Sequence, residues 1–358
     1  MRDRIGSSEL HRTVEDSDYK VVSHRRRFPR KCQKTMHTIP ALGIDIAKDT
    51  FAAALWIAGR YLKKEFRNNP SGFRALCRWL QQHFAGSVRV GLESTSTYAE
   101  ALAEWMHGKG HMVYLLNPER TAYYARCLGQ RNKTDPADAV TIAQFVAAHS
   151  DLTVWQPLPP EQKDLRSLTR VRQQLVETRV ALENQLKTAT GPGHHYLAQT
   201  VAKLKADLKQ LDRAIAAHIK KHPRLAELAR RLMTTPGVGV VLASVSVAEL
   251  PPITAQTDPR AICSWVGLTP RRRQSGKTEL PARISRHGNA YLRQALFMPA
   301  LVAKRWNPVL KTFAQRLEEN GKSTTAILGA VAHKLLRILV GLLRSNTDFD
   351  PNWSPQKI

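Results

Sequence analysis

The chain has 358 residues, enough for two or three domains. Its 55 Lys and Arg against 29 Asp and Glu give a formal net charge of +26, which indicates a polyanionic partner, with nucleic acid as the leading candidate. No uninterrupted apolar stretch reaches about 18 residues, so we expect no transmembrane helix, and basic residues spread over the whole chain disfavour a membrane-surface role.

The four cysteines are scattered and form no CxxC pair. Neither a zinc site nor a disulfide framework is therefore predicted, and this usage is typical of a reducing cytoplasm. The positions are Cys32, Cys77, Cys127 and Cys263.

Residues 1–37 are polar, lack the apolar core of a signal peptide and contain the basic run His24–Arg27. We interpret them as a disordered basic extension. Two alternatives remain open: a basic arm that contacts a phosphate backbone, and translation that starts at Met36, directly before the first strand-like run.

Strand and helix patterns alternate over residues 38–150, which we take as the first domain. The order βββαβαβα predicts an α/β, ribonuclease-H-like fold with a mixed five-stranded sheet. The predicted strands cover about 41–47, 50–57, 61–67, 88–93 and 111–116, with helices at 70–84 and 98–108 and from Pro118 and Asp135.

Four acids of this domain are candidate metal ligands. Asp45 lies inside the first strand, Glu93 ends the fourth, and Asp135 and Asp138 share one face at the start of the last helix, where Asp135 is the predicted N-cap and Pro136 suits the first turn. Carboxylates that converge would repel unless cations were bound, which predicts two Mg²⁺ ions, with Mn²⁺ as a substitute. The alternative is a set of unrelated surface acids. Asp49 competes with Asp45 but follows the strand.

Residues 151–228 are predicted to form a linker and a helical hairpin. Leu158-Pro159-Pro160 marks a boundary, and Gly191-Pro192-Gly193 separates two heptad-patterned helices that pack within one chain or as a coiled coil between chains. The heptad positions are Leu168, Val171, Leu175, Thr178 and Leu182, then Val201, Leu204, Leu208, Leu211 and Ile215. Basic outward residues indicate either a solvated face or a face that binds RNA or DNA. These are Arg170, Arg172, Lys203, Lys205 and Lys209.

Residues 229–345 are predicted to form a mainly helical C-terminal domain, followed by a tail, 346–358. The turn Pro236-Gly-Val-Gly239 resembles the hairpin of helix-hairpin-helix modules, in which backbone amides, here around Gly237 and Gly239, contact phosphates. A plain helix–helix turn is equally consistent with this pattern.

Further along this domain, a basic loop surrounds Ser275. Its cations could neutralise phosphate oxygens, and Gly276 would let the backbone approach closely. These cations are Arg271, Arg272, Arg273, Lys277 and Arg286. A serine hydroxyl needs a base or metal to attack phosphate, and no base is nearby in the sequence. A loop that only holds DNA is therefore the alternative.

Together these motifs resemble one family, the DEDD transposases of the insertion-sequence-110 group and its 1111-type branch, over about residues 40–345. The matching segments are GIDIAK at 43–48, GLEST at 91–95, KTDPADA at 133–139, PGVG at 236–239, GLTP at 267–270, QSG at 274–276 and ISRHGNAYLR at 284–293.

This resemblance implies a recombinase with a RuvC-like domain, a coiled coil and a C-terminal transposase domain. In it, Asp45, Glu93, Asp135 and Asp138 hold Mg²⁺, and Ser275 forms a 5′-phosphoserine link to DNA. It also implies a homotetramer, built as a dimer of dimers, and a structured bridge RNA that pairs with donor and target DNA in the prokaryotic cytoplasm, close to the nucleoid.

Two other functions remain open. A junction-resolvase-like nuclease would use the same acids and a water molecule, without Ser275. An inactive element-derived protein would only bind nucleic acid.

Overall fold

The computed structural model describes residues 39–57, 59–93, 98–129, 134–275 and 278–352, without the side chains of residues 272–282. The chain forms two compact units, which meet in sequence between Gln156 and Pro157. The predicted extension 1–37, together with Gly276 and Lys277, lies outside the described residues.

A mixed five-stranded sheet forms the centre of the N-terminal unit, as the sequence predicted. The strands are β1 (Ala41–Ile46), β2 (Thr50–Ile57), β3 (Arg60–Arg67), β4 (Arg89–Glu93) and β5 (Met112–Leu116). Their order in the sheet is β3-β2-β1-β4-β5, with β2 antiparallel to β1 and β3, and β4 parallel to β1 and β5.

Helices cover both faces of this sheet. Leu42 and Ile44 of β1 share one apolar core with the first two helices, while the fourth helix contacts β1, β2 and β4. Because strand side chains alternate, the odd-numbered residues of β1, Asp45 among them, face this fourth helix. The helices are α1 (Pro70–His83), α2 (Tyr98–Gly108), α3 (Pro118–Cys127) and α4 (Asp135–Ala148).

Two glycines allow α4 to approach the sheet closely. A Cβ at Gly43 would lie 2.0 Å from the Ala139 carbonyl oxygen, and one at Gly91 would lie 2.5 Å from Val146 Cγ2. Gly43 and Gly91 are direct partners in the parallel β1–β4 pair, so they form one smooth contact surface for the helix.

The C-terminal unit is mainly helical, with one two-stranded hairpin. Its elements are α5 (Pro160–Leu186), α6 (Pro192–Lys221), α7 (Pro223–Met233), α8 (Val240–Glu249), α9 (Pro259–Val266), β6 (Pro270–Ser275), β7 (Thr278–Ile284), α10 (Ala290–Ala295), α11 (Phe297–Trp306), α12 (Pro308–Glu319) and α13 (Thr324–Ser345). The sequence predicted a basic loop around Ser275, and that prediction was wrong: the basic segment 270–275 forms β6, which pairs with β7 as an antiparallel strand.

Helix α13 is the central helix of this unit. In the described part of the chain it is the one helix long and apolar enough to cross a membrane by length and composition. Its apolar side chains are buried against α7, α9, α11 and α12, so it forms the core here.

Helices α5 and α6 form the predicted hairpin within one chain. The ion pairs Arg172–Asp212 and Lys205–Glu183 link the two helices. The residue number of the α5 partner rises from one pair to the other while that of the α6 partner falls, so the helices are antiparallel. The inward positions of α6 are as predicted.

On α5 the predicted heptad face was right only in part. Leu168 packs against the core of this unit, but Val171 is 44% exposed, and the fully buried apolar residue is Leu165, which the heptad pattern did not include. Leu165 joins Ile215 and Ile219 in the core that the helices after the hairpin also share, and this contact fixes the rotation of α5 about its axis.

The base of the hairpin and the helices after it therefore share one core, and the division at residue 228 stays a prediction. The predicted tail from residue 346 is packed at its start. Arg230 donates to both Asp348 oxygens at 2.9 and 3.0 Å, and the Phe349 amide donates to Thr234 Oγ1 at 2.9 Å.

Candidate active site

Asp45 and Glu93 lie on the sheet face that α4 covers. Each follows a packing glycine by two residues, Gly43 and Gly91 respectively, and so points to the same side as that glycine. The pair Ile44–Leu92 ends the parallel register, so both acids stand directly beyond it on adjacent strands.

Helix α4 supplies the other two acids. Its N-cap is Thr134, whose carbonyl accepts the Ala137 and Asp138 amides at 2.8 and 2.9 Å. The prediction of Asp135 as N-cap was wrong by one residue because helical hydrogen bonding already begins at Thr134. Asp135 and Asp138, three residues apart in the first turn, keep the predicted common face.

Asp45 and Asp135 line one cleft of about 200 Å³ between the start of α4 and strands β2 and β3. The close contact of α4 with Gly43 explains why both acids line the same cleft, because it brings the first turn of the helix over the end of β1. Small side chains such as Ala52 leave the cleft open.

Glu93 is held by a residue that the sequence analysis missed. The buried hydroxyl of Thr121 on α3 contacts Glu93 Oε1 as a donor, and the Pro118 carbonyl lies 3.0 Å away as an alternative acceptor. Helix α3 is fixed from its start, since Asn117 caps the Glu119 amide at 2.8 Å. A lone threonine inside a helix pattern gives no signal of such a role.

The acids fit a hard divalent cation by donor chemistry, since all four offer oxygen. Among the described residues, no group of three or more His, Cys, Asp or Glu side chains is close enough to enclose a metal ion. Mg²⁺ is commonly held by one or two carboxylates together with water and substrate phosphates, and the open cleft that Asp45 and Asp135 share meets that requirement.

Ser275 is the last residue of β6 and pairs with Thr278 of β7. The register of the hairpin shifts between Arg271 and Arg273, so a bulge lies within the basic segment. Arg271 Nη1 lies 3.0 Å from His287 Nε2, and Arg272 and Arg273 belong to the strand.

The segment after β7 packs tightly against the end of α9. Arg286 has a left-handed backbone (φ 59°), and a Cβ at Gly288 would lie 1.8 Å from the Trp265 carbonyl oxygen. Arg293 donates to the Val266 carbonyl at 2.8 Å, and burial, followed by the nearby Arg286 charge, lowers the pKa of the Arg293 guanidinium.

A buried carboxylate, Glu249, anchors this region, and no sequence motif indicates it. Its side chain is 1% exposed and accepts two hydrogen bonds from Arg170, at 2.7 and 2.9 Å. Asn289 donates to Glu249 at 2.7 Å and caps the Leu292 amide of α10. Glu249 therefore joins α5 and α8 to the segment that follows the Ser275 hairpin.

The turn between α7 and α8 is present as predicted. Gly237 has φ +96°, and a Cβ there would lie 2.8 Å from Ala303, so both the backbone and the packing require glycine. Gly239 is the N-cap of α8, which has no side-chain cap. Phosphate binding by this turn stays a prediction.

Comparison with known proteins gives two family matches and several long relatives. The model of the DEDD transposase of IS110 elements matches residues 42–189, and that of the IS116/IS110/IS902 transposase family matches residues 229–315. The pilin gene-inverting protein of Moraxella bovis is 32% identical over 320 residues, which cover 86% of this chain and 97% of that protein. The chain belongs to the IS110 transposase family.

Other members of the IS110 transposase family are more distant. The transposase of IS1328 from Yersinia enterocolitica is 28% identical over 85% of this chain and 96% of its own length. The transposase of IS1111A from Coxiella burnetii is 27% identical over 76% and 80%. Family membership identifies the chain as a transposase, an enzyme that cleaves and joins DNA, and confirms the family predicted from the motifs.

Proposed function

We propose that this transposase cuts and rejoins donor and target DNA with Asp45, Glu93, Asp135 and Asp138 as ligands of two Mg²⁺ ions and Ser275 as the nucleophile. The observation that carries the proposal is the cleft that Asp45 and Asp135 share beneath α4. The strand order, with acids on β1 and β4 and a helix over both, supports a RuvC-like assignment.

In the proposed reaction the Ser275 hydroxyl attacks a DNA phosphorus. The bond from phosphorus to the 3′-oxygen breaks, the serine proton is removed, and the released 3′-oxygen takes up a proton. The 5′-phosphate is then joined to serine. A 3′-hydroxyl of the other DNA attacks this phosphorus and releases Ser275, so no high-energy cofactor is consumed. Bound Mg²⁺, replaceable by Mn²⁺, would stabilise the attacking and leaving oxygens.

The residues around Ser275 have binding roles in this proposal. Arg271, Arg272, Arg273, Lys277 and Arg286 neutralise phosphate oxygens, and Gly276 allows close backbone approach. The turn at Gly237 and Gly239 contacts the DNA backbone away from the reacting bond. The basic hairpin strand and the uncapped start of α8 support these roles.

The proposal includes a structured bridge RNA that selects the DNA, a tetramer built as a dimer of dimers, and action on nucleoid DNA in the bacterial cytoplasm. The net charge of +26 supports an RNA partner beside DNA. Leu168, Val171, Leu175 and Leu182 remain at least partly exposed on α5 at heptad spacing, which supports helix pairing between copies.

A test separates this mechanism from a nuclease that uses water. Purified protein, co-expressed with RNA from the element's flanks, is mixed with donor and target DNA and Mg²⁺, then denatured. We expect DNA covalently attached to wild-type protein and to a Ser285→Ala control, but none attached to Ser275→Ala. Nicked DNA without an adduct, unaffected by Ser275→Ala, would contradict the serine mechanism and favour the nuclease.

A further inference from the structure

The strand pairing places residues of the edge strand β3 on the same sheet face as Asp45. Asp45 pairs with Ala52 of β2, and Ala52 pairs with Glu65 of β3. Two residues earlier on β1, Gly43 pairs with Ala54 of β2, and Ala54 pairs with Lys63 of β3. Directly paired residues lie on the same face, so Lys63 and Glu65 share the α4 face with Asp45.

The alanines of β2 form a shallow floor between the acids and the edge strand. Ala52 and Ala54 are buried against Ala139 and Val140 of α4. The cleft has Asp45 and Asp135 on its inner side and residues 63–65 of β3 on its outer side. Its volume of about 200 Å³ holds several water molecules, and its lining runs from β3 to the acids.

Two cations of β3 lie on this face. Lys63 is exposed and forms no ion pair or side-chain hydrogen bond among the described residues. Arg67 pairs with Thr50, which also lines the cleft, so it stands on the same face four positions further along. Four residues of strand span about 13 Å, or the axial rise of about four nucleotides.

Charge on an edge strand also has a plain structural role, because lysines there prevent pairing with another sheet. Lys64 also borders the cleft, but its ammonium turns away from the acids: it lies 5.7 Å from the centroid of the Phe66 ring, which belongs to the core on the opposite side of the sheet. The two neighbouring lysines thus have equal charge but opposite faces.

We propose that Lys63 and Arg67 bind phosphates of the DNA strand that enters the Asp45–Asp135 cleft. This inference rests on the proposed function, since it assigns the approach of DNA to that same cleft. Glu65, between the two cations, faces the strand and weakens its binding. The β3 strip, defined as Lys63, Glu65 and Arg67, then sets where the DNA backbone enters.

Neighbouring lysines allow a matched test on the full chain. Binding of a fluorescent DNA duplex that carries an element end is measured in EDTA over a series of NaCl concentrations, and the KM and kcat of DNA nicking are measured in Mg²⁺. We expect Lys63→Ala to weaken binding roughly three- to tenfold and to lower the salt slope by about 1. Its KM should rise with kcat retained, Lys63→Arg should restore binding, and Glu65→Gln should strengthen it.

Lys64→Ala removes the same charge and should leave binding and KM unchanged. Equal effects of Lys63→Ala and Lys64→Ala on DNA binding would overturn the proposal. It would also be overturned if Lys63→Ala aggregated while its DNA affinity stayed unchanged, because Lys63 would then only protect the edge strand from pairing with another sheet. If the wild type neither nicks nor joins DNA, the proposed function fails. The difference between Lys63→Ala and Lys64→Ala in EDTA still decides whether the strip binds phosphate.

Discussion

The two units of this transposase position their candidate functional groups by different means. In the N-terminal unit, shape positions α4: glycines on β1 and β4 let the helix sit against the sheet and bring Asp135 to Asp45. In the C-terminal unit, a buried charge positions the segment after β7: the Glu249 carboxylate accepts hydrogen bonds from Arg170 and Asn289. The first arrangement should therefore be sensitive to added volume and the second to lost charge.

The largest effect is expected from removing one acid. Asp138→Asn should lower DNA cleavage and joining by about a thousandfold or more, because it removes a proposed metal ligand. The proposed RNA binding should persist, because little basic surface changes. Cleavage and RNA affinity are measured in parallel, with Asp151→Asn as an exposed control in the same unit. Loss of RNA binding in Asp138→Asn would contradict a separation of the acid site from RNA binding.

Added volume tests the N-terminal arrangement. Gly43→Ala should destabilise β1 and α4 by about 3 kcal/mol, because the new methyl group meets helix backbone that cannot move independently. Amide hydrogen exchange of these two elements measures the change.

Gly108→Ala is the matched control, since a Cβ at Gly108 meets nothing within 4 Å. If amide protection in Gly43→Ala equalled that in Gly108→Ala, α4 would tolerate displacement from the sheet. Close packing at Gly43 would then not be what positions Asp135.

Lost charge tests the C-terminal arrangement. Glu249→Gln should destabilise the contact between α8, α5 and α10 by about 2 kcal/mol, because Arg170 loses its buried partner but remains partly hydrated. Exchange of the amides of residues 289–293 reports the change. The control Glu183→Gln breaks an exposed pair with Lys205 and should have no measurable effect. An unchanged Glu249→Gln would mean that packing alone holds Asn289.

A smaller effect is expected at Thr121. Thr121→Val keeps the side-chain shape but removes the hydroxyl that contacts Glu93, and should weaken Mn²⁺ binding about tenfold. Electron paramagnetic resonance of free Mn²⁺ measures binding without turnover. Thr121→Ser should restore affinity, and a serine variant as weak as valine would assign Thr121 to packing only.

Much of the N-terminal unit could be predicted because one face of each strand is apolar. The alternation around Leu42 and Ile44 specifies both the strand and the side that carries Asp45. The N-cap at Thr134 was missed because a proline in the first turn is compatible with either start. Thr121 and Glu249 could not be predicted, since a contact between residues distant in sequence leaves no local pattern.

The error on α5 has a similar origin. Heptad spacing describes which residues share a helix face, but it placed Val171 inside and left out Leu165, while Leu168 does pack against the core. Tertiary contacts of Leu165 with Ile215 and Ile219 decide between the two faces. The basic segment around Arg272 was misjudged because charged residues rarely indicate strands, although cross-strand pairing orders them here.

Helix α13 has a consequence for synthesis on the ribosome. It is the last helix of the described residues, and exposed on its own it has the length and composition of a membrane anchor. Translation delivers residues 223–319, with the helices that cover it, before α13 emerges. The newly made α13 can therefore pack at once against the apolar faces of these helices, which shortens the time in which it could aggregate or enter a bilayer.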